Sequence, residues 1–327
     1  MSILTGDIGG THTRLALVVP EAKRYRIVHV NHYVSRDFDG LQPIIEHFLH
    51  DYPDTRPRQA AFGVAGPVLD GRCRTTNLPW EVSAASLSSA LGIPAYLLND
   101  LEALAWGIDT LEDSSLVSLQ TGQAVASGNK AIIAAGTGLG QAGLTFDGIR
   151  HRPFACEGGH TDFAPQTERD SALLKALQAR YGHVSWERMV SGPGLVELFQ
   201  QVLKTAGTAA PDWLGDPLQE GAAARISQHA LAEDNALSVE ALDWFIELYG
   251  REAGNLALKL NTTGGLYLGG GIAPKILARL GSGRFIEAFL DKGRMGGLLS
   301  HMPVKVICDE QTALYGLARY TGLMGTT

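Results

Sequence analysis

Residues Gly6-Asp7-Ile8-Gly9-Gly10-Thr11 lie between two apolar runs, Ser2–Thr5 and Leu15–Val19, and a second stretch, Gly136-Thr137-Gly138-Leu139-Gly140, lies between Ala131–Ala135 and Ala142–Leu144. The pattern is strand, glycine turn, strand, written twice. Glycine lets the backbone turn tightly and bring its N–H groups up to an anion. Thr11 and Thr137 add hydroxyl donors, and Asp7 puts a carboxylate inside the first turn. Either turn taken alone also reads as an ordinary β-hairpin. The pair predicts two halves that grip one polyphosphate from opposite sides. Neither stretch has the G-x-x-x-x-G-K-S/T spacing of a phosphate loop or the G-x-G-x-x-G spacing of a Rossmann turn. Both join strand to strand, so a nucleotide held here is not held by a helix N-terminus in the Rossmann manner.

Three acidic and polar constellations follow. Asn99-Asp100 sits where a strand ends and a helix begins. Asn and Asp are common helix caps; a carboxylate at the carboxyl end of a strand is also where α/β sheets place catalytic groups. The two readings are compatible, because a helix N-terminus holds Asp100 ionised, ready to take a proton from a hydroxyl that attacks a phosphoryl group. Cys156-Glu157-Gly158-Gly159-His160 places Glu157 and His160 around two glycines, so their side chains can converge on one polar ligand. A plain surface turn is the alternative. A metal would need ligands beyond Cys156 and His160, and none is spaced to help. Glu187, ahead of Ser191-Gly192-Pro193-Gly194, is a third acidic candidate or a solvated helix residue. Gly269-Gly270-Gly271 closes a strand before Pro274, a good first helical residue; its glycines allow close backbone approach to a flat base, or mark a flexible loop.

The elements that must carry these groups alternate. Tyr25–Tyr33 reads as a third strand of a meander, Leu41–Leu49 as a helix, Gln59–Val68 as a buried strand and Ala95–Leu98 as a short one. Asn77-Leu78-Pro79-Trp80 reads as a turn with an aromatic plug. Leu101, Leu104, Ala105 and Ile108 have the i, i+3, i+4, i+7 spacing of an amphipathic helix. Residues 109–128 are polar and read as an irregular crossover. Asp170–Tyr181 and Leu195–Lys204 are predicted helical, and Thr205–Gly221 an exposed loop. Val239–Leu260 reads as one or two helices with apolar residues on most sides, which predicts a buried central element. Gly265–Leu268 and Pro303–Cys308 read as strands and Glu310–Tyr320 as a last helix.

At 327 residues the chain is long enough for two domains with separate cores. It holds 39 glycines, well above the ordinary share of ~7%, which fits a protein built on backbone loops. Its net charge is −7, with no Lys/Arg run longer than two, which argues against a nucleic-acid partner. No run approaches the ~18 apolar residues of a membrane span, and no leader pattern precedes the first loop. Cys73, Cys156 and Cys308 are scattered and odd in number, which predicts a reducing, cytoplasmic setting.

Taken together, these motifs resemble bacterial glucokinase, within the sugar kinase/Hsp70/actin group of ATPases, from Ile3 to about Leu323. The resemblance implies an α/β, two-domain actin-like ATPase (ribonuclease H-like) fold with duplicated strand–glycine turn–strand phosphate loops. It implies a small domain over 1–110, joined by a C-terminal helix 303–327, and a large domain over 111–302. Glucose would sit in the cleft and ATP across its mouth. Gly6, Asp7, Ile8, Gly9, Gly10 and Thr11 resemble the first phosphate loop, Gly136, Thr137 and Gly138 the second, and Gly269, Gly270 and Gly271 the adenosine segment. Asn99 and Asp100 match the sugar-binding pair, with Asp100 the general base. Glu157, His160 and Glu187 match further sugar ligands. Mg²⁺ would arrive with ATP, ordered near Asp7, with no tightly bound metal. The related repressor-type kinases carry a cysteine-rich zinc segment after the sugar-binding His; Phe163-Ala164-Pro165 stands there instead. The implied reaction is phosphorylation of glucose by ATP, in a cytoplasmic homodimer. A kinase for another hexose is the near alternative, and an actin- or chaperone-like ATPase would not need the sugar constellation. A non-catalytic sugar sensor is a third; with the first loop at residue 6, no room is left for an N-terminal helix-turn-helix.

Overall fold

The computed structural model describes residues 2–21, 24–75, 78–217, 219 and 221–324. In chain order the elements are β1 (Ser2–Ile8), β2 (His12–Glu21), β3 (Arg24–Val34), α1 (Leu41–Asp51), β4 (Pro57–Val64), β5 (Arg72–Arg74), β6 (Glu81–Ser83), α2 (Ala84–Leu91), β7 (Ala95–Asn99) and α3 (Asp100–Gly107). There follow β8 (Leu116–Gln120), β9 (Lys130–Ala135), β10 (Leu139–Phe146), β11 (His151–Cys156), α4 (Glu168–Tyr181), α5 (Gly192–Ala206), α6 (Ala222–Leu231) and α7 (Ala236–Leu260). The last are β12 (Gly265–Gly269), α8 (Leu277–Leu280), α9 (Arg284–Leu290), α10 (Gly296–Leu299), β13 (Val304–Ile307) and α11 (Thr312–Met324). The chain forms two compact units: residues 1–115, 152–155 and 309–327, and residues 116–151 and 156–308.

The first unit is built on a five-stranded sheet ordered β3-β2-β1-β4-β7. Strands β1, β2 and β3 form an antiparallel meander, and β4 and β7 run parallel to β1. Successive side chains of β1 go to opposite faces, as strand geometry requires. Leu4 and Ile8 join Ile44, Ile45 and Phe48 of α1 on one side; Ile3 joins Leu314 and Ala318 of α11 on the other. The predicted α1 buries Leu41, Ile44, Ile45 and Phe48, one face of a helix. In α3, however, the fully buried residues are Ala103, Ala105, Trp106 and Gly107, while Leu101 and Leu104 are only half-buried. Close helix contact replaces the expected leucine stripe. A Cβ placed on Gly316 of α11 would lie 1.9 Å from the Ala103 carbonyl oxygen, so the two backbones touch where no side chain fits.

The second unit repeats the pattern. Its sheet runs β11-β10-β9-β12-β13-β8, with β9 and β10 antiparallel and β12 and β13 parallel to β9. The β1–β2 and β9–β10 turns, the two glycine stretches, therefore occupy equivalent places in two similar sheets. α7 is a single helix at the centre of this unit, with Trp244, Phe245, Tyr249, Leu256 and Ala257 in the core.

Three expectations change. Residues 109–128 are not all irregular: β8 pairs antiparallel with β13. It is an edge strand with little buried surface, and its partner lies far along the chain, so its local pattern is weak. No regular helix opens at Pro274. Ile272 N–H is bonded to the Ala135 carbonyl at 3.2 Å, which folds the segment back on β9, and the helix begins only at Leu277. The sequence drew the chain's return at 302/303, whereas the units divide at 308/309, because β13 is hydrogen-bonded into the second sheet. In the expected turn at 77–80, Asn77 lies outside the described residues and Trp80 is buried.

Candidate active site

In the first unit, β1, β4 and β7 end in step: Ile8 pairs with Val64, and Val64 with Asn99. The first glycine turn and Asp100 thus lie on one carboxyl edge of a parallel array, two strand spacings or roughly 10 Å apart. Gly6 is inside β1, where a Cβ would meet Leu15 and Phe62 at 2.7 Å, and Ile8 points into the core. These two contribute strand packing, and the open part of the turn is Gly9-Gly10-Thr11. The turn is closed by Gly9 N–H to the His12 carbonyl at 2.9 Å. Buried Ser35 braces it from behind, its hydroxyl donating to Gly9 O at 3.1 Å and lying 3.0 Å from the Thr13 hydroxyl.

Asp7 is tied to Arg14 at 2.5 Å, and Arg14 also donates to the Glu310 carbonyl at 2.7 Å. The register Asp7↔Arg14 puts both side chains on one face of the hairpin. A charged pair straddling a short glycine turn was visible in the sequence, but only once the turn length was known.

Asn99 is the N-cap of α3. Its Oδ1 accepts Leu101 N–H at 2.9 Å and Glu102 N–H at 3.4 Å, and its Nδ2 donates to Gly66 O at 3.0 Å. Asp100 is the first helical residue, half-buried, with Oδ1 accepting Leu101 N–H at 2.9 Å. The capping duty therefore falls on Asn99, and Asp100 has the helix N-terminus behind it, which favours its charged form. Two residues after Asp100, burial pushes the Glu102 carboxyl above its ordinary range.

In the second unit, the expected segments converge on the β9–β10 turn. Gly136 N–H bonds the Gly138 carbonyl at 2.9 Å, and Thr137 is exposed at its tip. Glu187 packs on this turn: its Oε2 accepts Leu139 N–H at 2.9 Å, and a Cβ on Gly138 would stand 2.5 Å from the same oxygen. Gly192, at the start of α5, donates to the Gly136 carbonyl at 2.8 Å. Gly269 pairs with Ala134, and Gly270, at φ +78°, leaves only 2.4 Å between a hypothetical Cβ and the Ala135 carbonyl oxygen. The third glycine segment thus lies directly beside the second.

Gly158–His160 is one 3-10 turn packed on β10: a Cβ on Gly159 would be 2.0 Å from Leu139 O. The turn leaves Glu157 and His160 on the surface, 80% and 61% exposed, with His160 Nε2 and Glu157 Oε2 3.9 Å apart. Glu187, Glu157 and His160 are thereby gathered around the first residues of β10, while the sequence missed the buried Gln141 and Glu252 beneath them. Among the described residues, no three His, Cys, Asp or Glu side chains are grouped to hold a metal ion.

A family model described as Glucokinase matches residues 4–324. The glucokinase of Nostoc punctiforme is 41% identical over 332 residues, covering 97% of this chain and 97% of its own. That of Saccharophagus degradans is 34% identical over 319 residues, again with 97% of each covered. The crystal structure of a glucokinase from an Antarctic psychrotroph matches with a TM-score of 0.86 at 32% identity, over 98% of this chain and 99% of that one. A ROK-family glucokinase from Streptomyces griseus, solved with glucose and AMPPNP, matches with a TM-score of 0.65 at 20% identity, over 98% and 99%, and shares the fold. That shared architecture is the actin-like ATPase fold.

Proposed function

The chain belongs to the glucokinase family, and on that premise we propose that it transfers the terminal phosphoryl group of ATP to the 6-hydroxyl of D-glucose. The products are ADP and glucose 6-phosphate, the entry compound of glycolysis. The observation that carries this reading is the shared edge of the first sheet, where Asp100 and the first glycine turn end parallel strands in register. A base and a phosphate-binding turn so placed suit in-line transfer from a phosphate to a hydroxyl.

Asp100 accepts the proton of the 6-hydroxyl as the oxygen attacks. Asn99, Glu157, His160 and Glu187 bind the remaining hydroxyls. The N–H groups of Gly10, Thr11, Thr137 and Gly138 hold phosphate oxygens, in turns closed by the N–H groups of Gly9 and Gly136, and Gly269–Gly271 faces the adenosine. Asp7 suits Mg²⁺ brought in with ATP: it is a hard oxygen donor beside the turn, and Mg²⁺ keeps several waters and needs only one or two carboxylates besides phosphate. The ion neutralises charge on the phosphates. We place the enzyme in the cytoplasm as a homodimer. The three thiols are unpaired and no described helix is long and apolar enough to cross a membrane, which agrees with that setting. Light scattering of the purified protein tests the dimer.

The test of function is a coupled phosphorylation assay over a panel of hexoses. Polar groups built to bind hydroxyls reject sugars that leave them unpaired, by as much as ~10⁴–10⁵. Glucose should exceed fructose, galactose and N-acetylglucosamine by orders of magnitude in kcat/KM, with mannose and 2-deoxyglucose nearest. Better turnover of fructose or an N-acetylated sugar would replace glucose but keep the kinase. ATP binding with no sugar phosphorylated would mark a sensor.

A further inference from the structure

Beneath the Glu157–His160 turn lies a buried polar chain that the proposed reaction does not use. Gln141 of β10 is 1% exposed and Glu252 of α7 is fully buried. Gln141 Nε2 donates to Glu252 Oε1 at 2.8 Å, and Asn255 Nδ2 donates to Glu252 Oε2 at 3.0 Å. Burial pushes the Glu252 carboxyl above its ordinary range, against the lowering effect of Gln141, Asn255, Lys259 and Lys292. A carboxyl group sealed in a core is costly to bury unless its oxygens are hydrogen-bonded, and here both are.

What the arrangement achieves is orientation. A glutamine amide has a donor end and an acceptor end. With the donor end committed to Glu252, the carbonyl end of Gln141 faces Gly158, so closely that a Cβ there would lie 2.1 Å from Gln141 Oε1. The same residue's backbone carbonyl accepts the Cys156 thiol at 3.4 Å. Gln141 therefore touches the Cys156–His160 segment at both ends of its first turn. We infer that Glu252 is a positioning residue: it orients Gln141, which seats Gly158 and so sets the direction in which Glu157 and His160 meet the sugar. The inference rests on the proposed role of Glu157 and His160 as sugar ligands.

Glu252→Leu and Gln141→Leu test it by steady-state kinetics with each substrate varied, alongside thermal unfolding. Both variants should raise KM for glucose about tenfold or more and leave KM for ATP within about twofold. The melting temperature of Glu252→Leu should fall, because the Gln141 and Asn255 amide donors lose their acceptor. Glu252→Gln, which keeps an acceptor for Gln141, should recover most of the glucose KM. A folded Glu252→Leu with unchanged glucose KM overturns the inference, as do equal losses for both substrates. Should Glu252→Leu fail to fold, the glucose and ATP KM values of Gln141→Leu decide by the same criteria. His160→Ala separates the two levels. If it leaves glucose KM unchanged, the sugar assignment falls and takes the inference with it. If it raises glucose KM while both leucine variants do not, the inference alone falls.

Discussion

Arg14 holds the carboxylate of Asp7 at 2.5 Å with one arm of its guanidinium and the Glu310 carbonyl at 2.7 Å with another. The first glycine turn is thereby joined to the segment that leads into α11. Both side chains are mostly shielded from water, so the pair is not an ordinary surface bridge.

Arg14→Met should therefore loosen the turn. Hydrogen bonds to charged groups contribute about 1.5–3 kcal/mol, so KM for MgATP should rise roughly 10- to 100-fold while KM for glucose changes little. Arg14→Lys, which keeps the charge but not the fork, should recover only part. Initial-rate kinetics with ATP varied decide this, and equal effects on both substrates would count against it.

Asp100→Asn should reduce kcat by about 10²–10⁴, the usual contribution of a general base. Its melting temperature should stay close to the parent's, because Asn99 and not Asp100 supplies the cap of α3. Asn99→Ala should do the reverse to stability, costing about 1 kcal/mol as a lost cap. Near-normal turnover by Asp100→Asn would remove the residue from the role of base.

Glu187 faces two demands if it also contacts sugar, because Oε2 is committed to Leu139 N–H. Glu187→Ala strands that donor beside the second phosphate turn and should lower kcat/KM for both substrates, by roughly 10- to 100-fold. Glu187→Gln keeps an acceptor and should be milder toward ATP than toward glucose. Kinetics of the two variants side by side measure the split.

Asp170 gives an acid-stability signature. Burial would raise its carboxyl, but hydrogen bonds from Trp244, Gln166 N–H, Arg251 and Thr167 hold it below the ordinary range. A carboxyl lowered by folding stabilises fully above its unfolded value of ~3.9 and loses that contribution as pH falls through the folded value. Asp170→Asn leaves Arg251 without its partner at 2.6 Å and should cost about 3–5 kcal/mol at neutral pH. Its melting temperature should then fall less steeply than the parent's on acidification below about pH 5. Parallel thermal scans across pH check the slopes.

The glycine turns were legible because each lies in one short run of sequence, flanked by the strands it joins. α1 was legible because its apolar spacing is local and repeated, and α7 because its long run is apolar on most sides. The less legible features depend on partners far along the chain. β8 is a strand because β13 pairs with it, and α3 buries alanines because Gly316 lets α11 approach. Gln141 and Glu252 are ordinary polar letters until β10 and α7 bring them together. The candidate residues Asn99, Asp100, Glu157, His160 and Glu187 were nameable as motifs; that Asn99 caps and Glu187 braces a turn required backbone geometry.

The contact between Gly316 and Ala103 has a consequence for synthesis. The ribosome makes the five-strand sheet of the first unit early, but α11, which supplies Leu314, Leu317 and Ala318 to its far face, is translated only after the whole second unit. Until then Ile3, Ala16 and Val18 lack the helix that covers them, and a growing chain with bare apolar surface is open to aggregation. The unit that begins first is therefore completed last, and a chain interrupted before Thr312 carries its first glycine turn on a sheet that never closes.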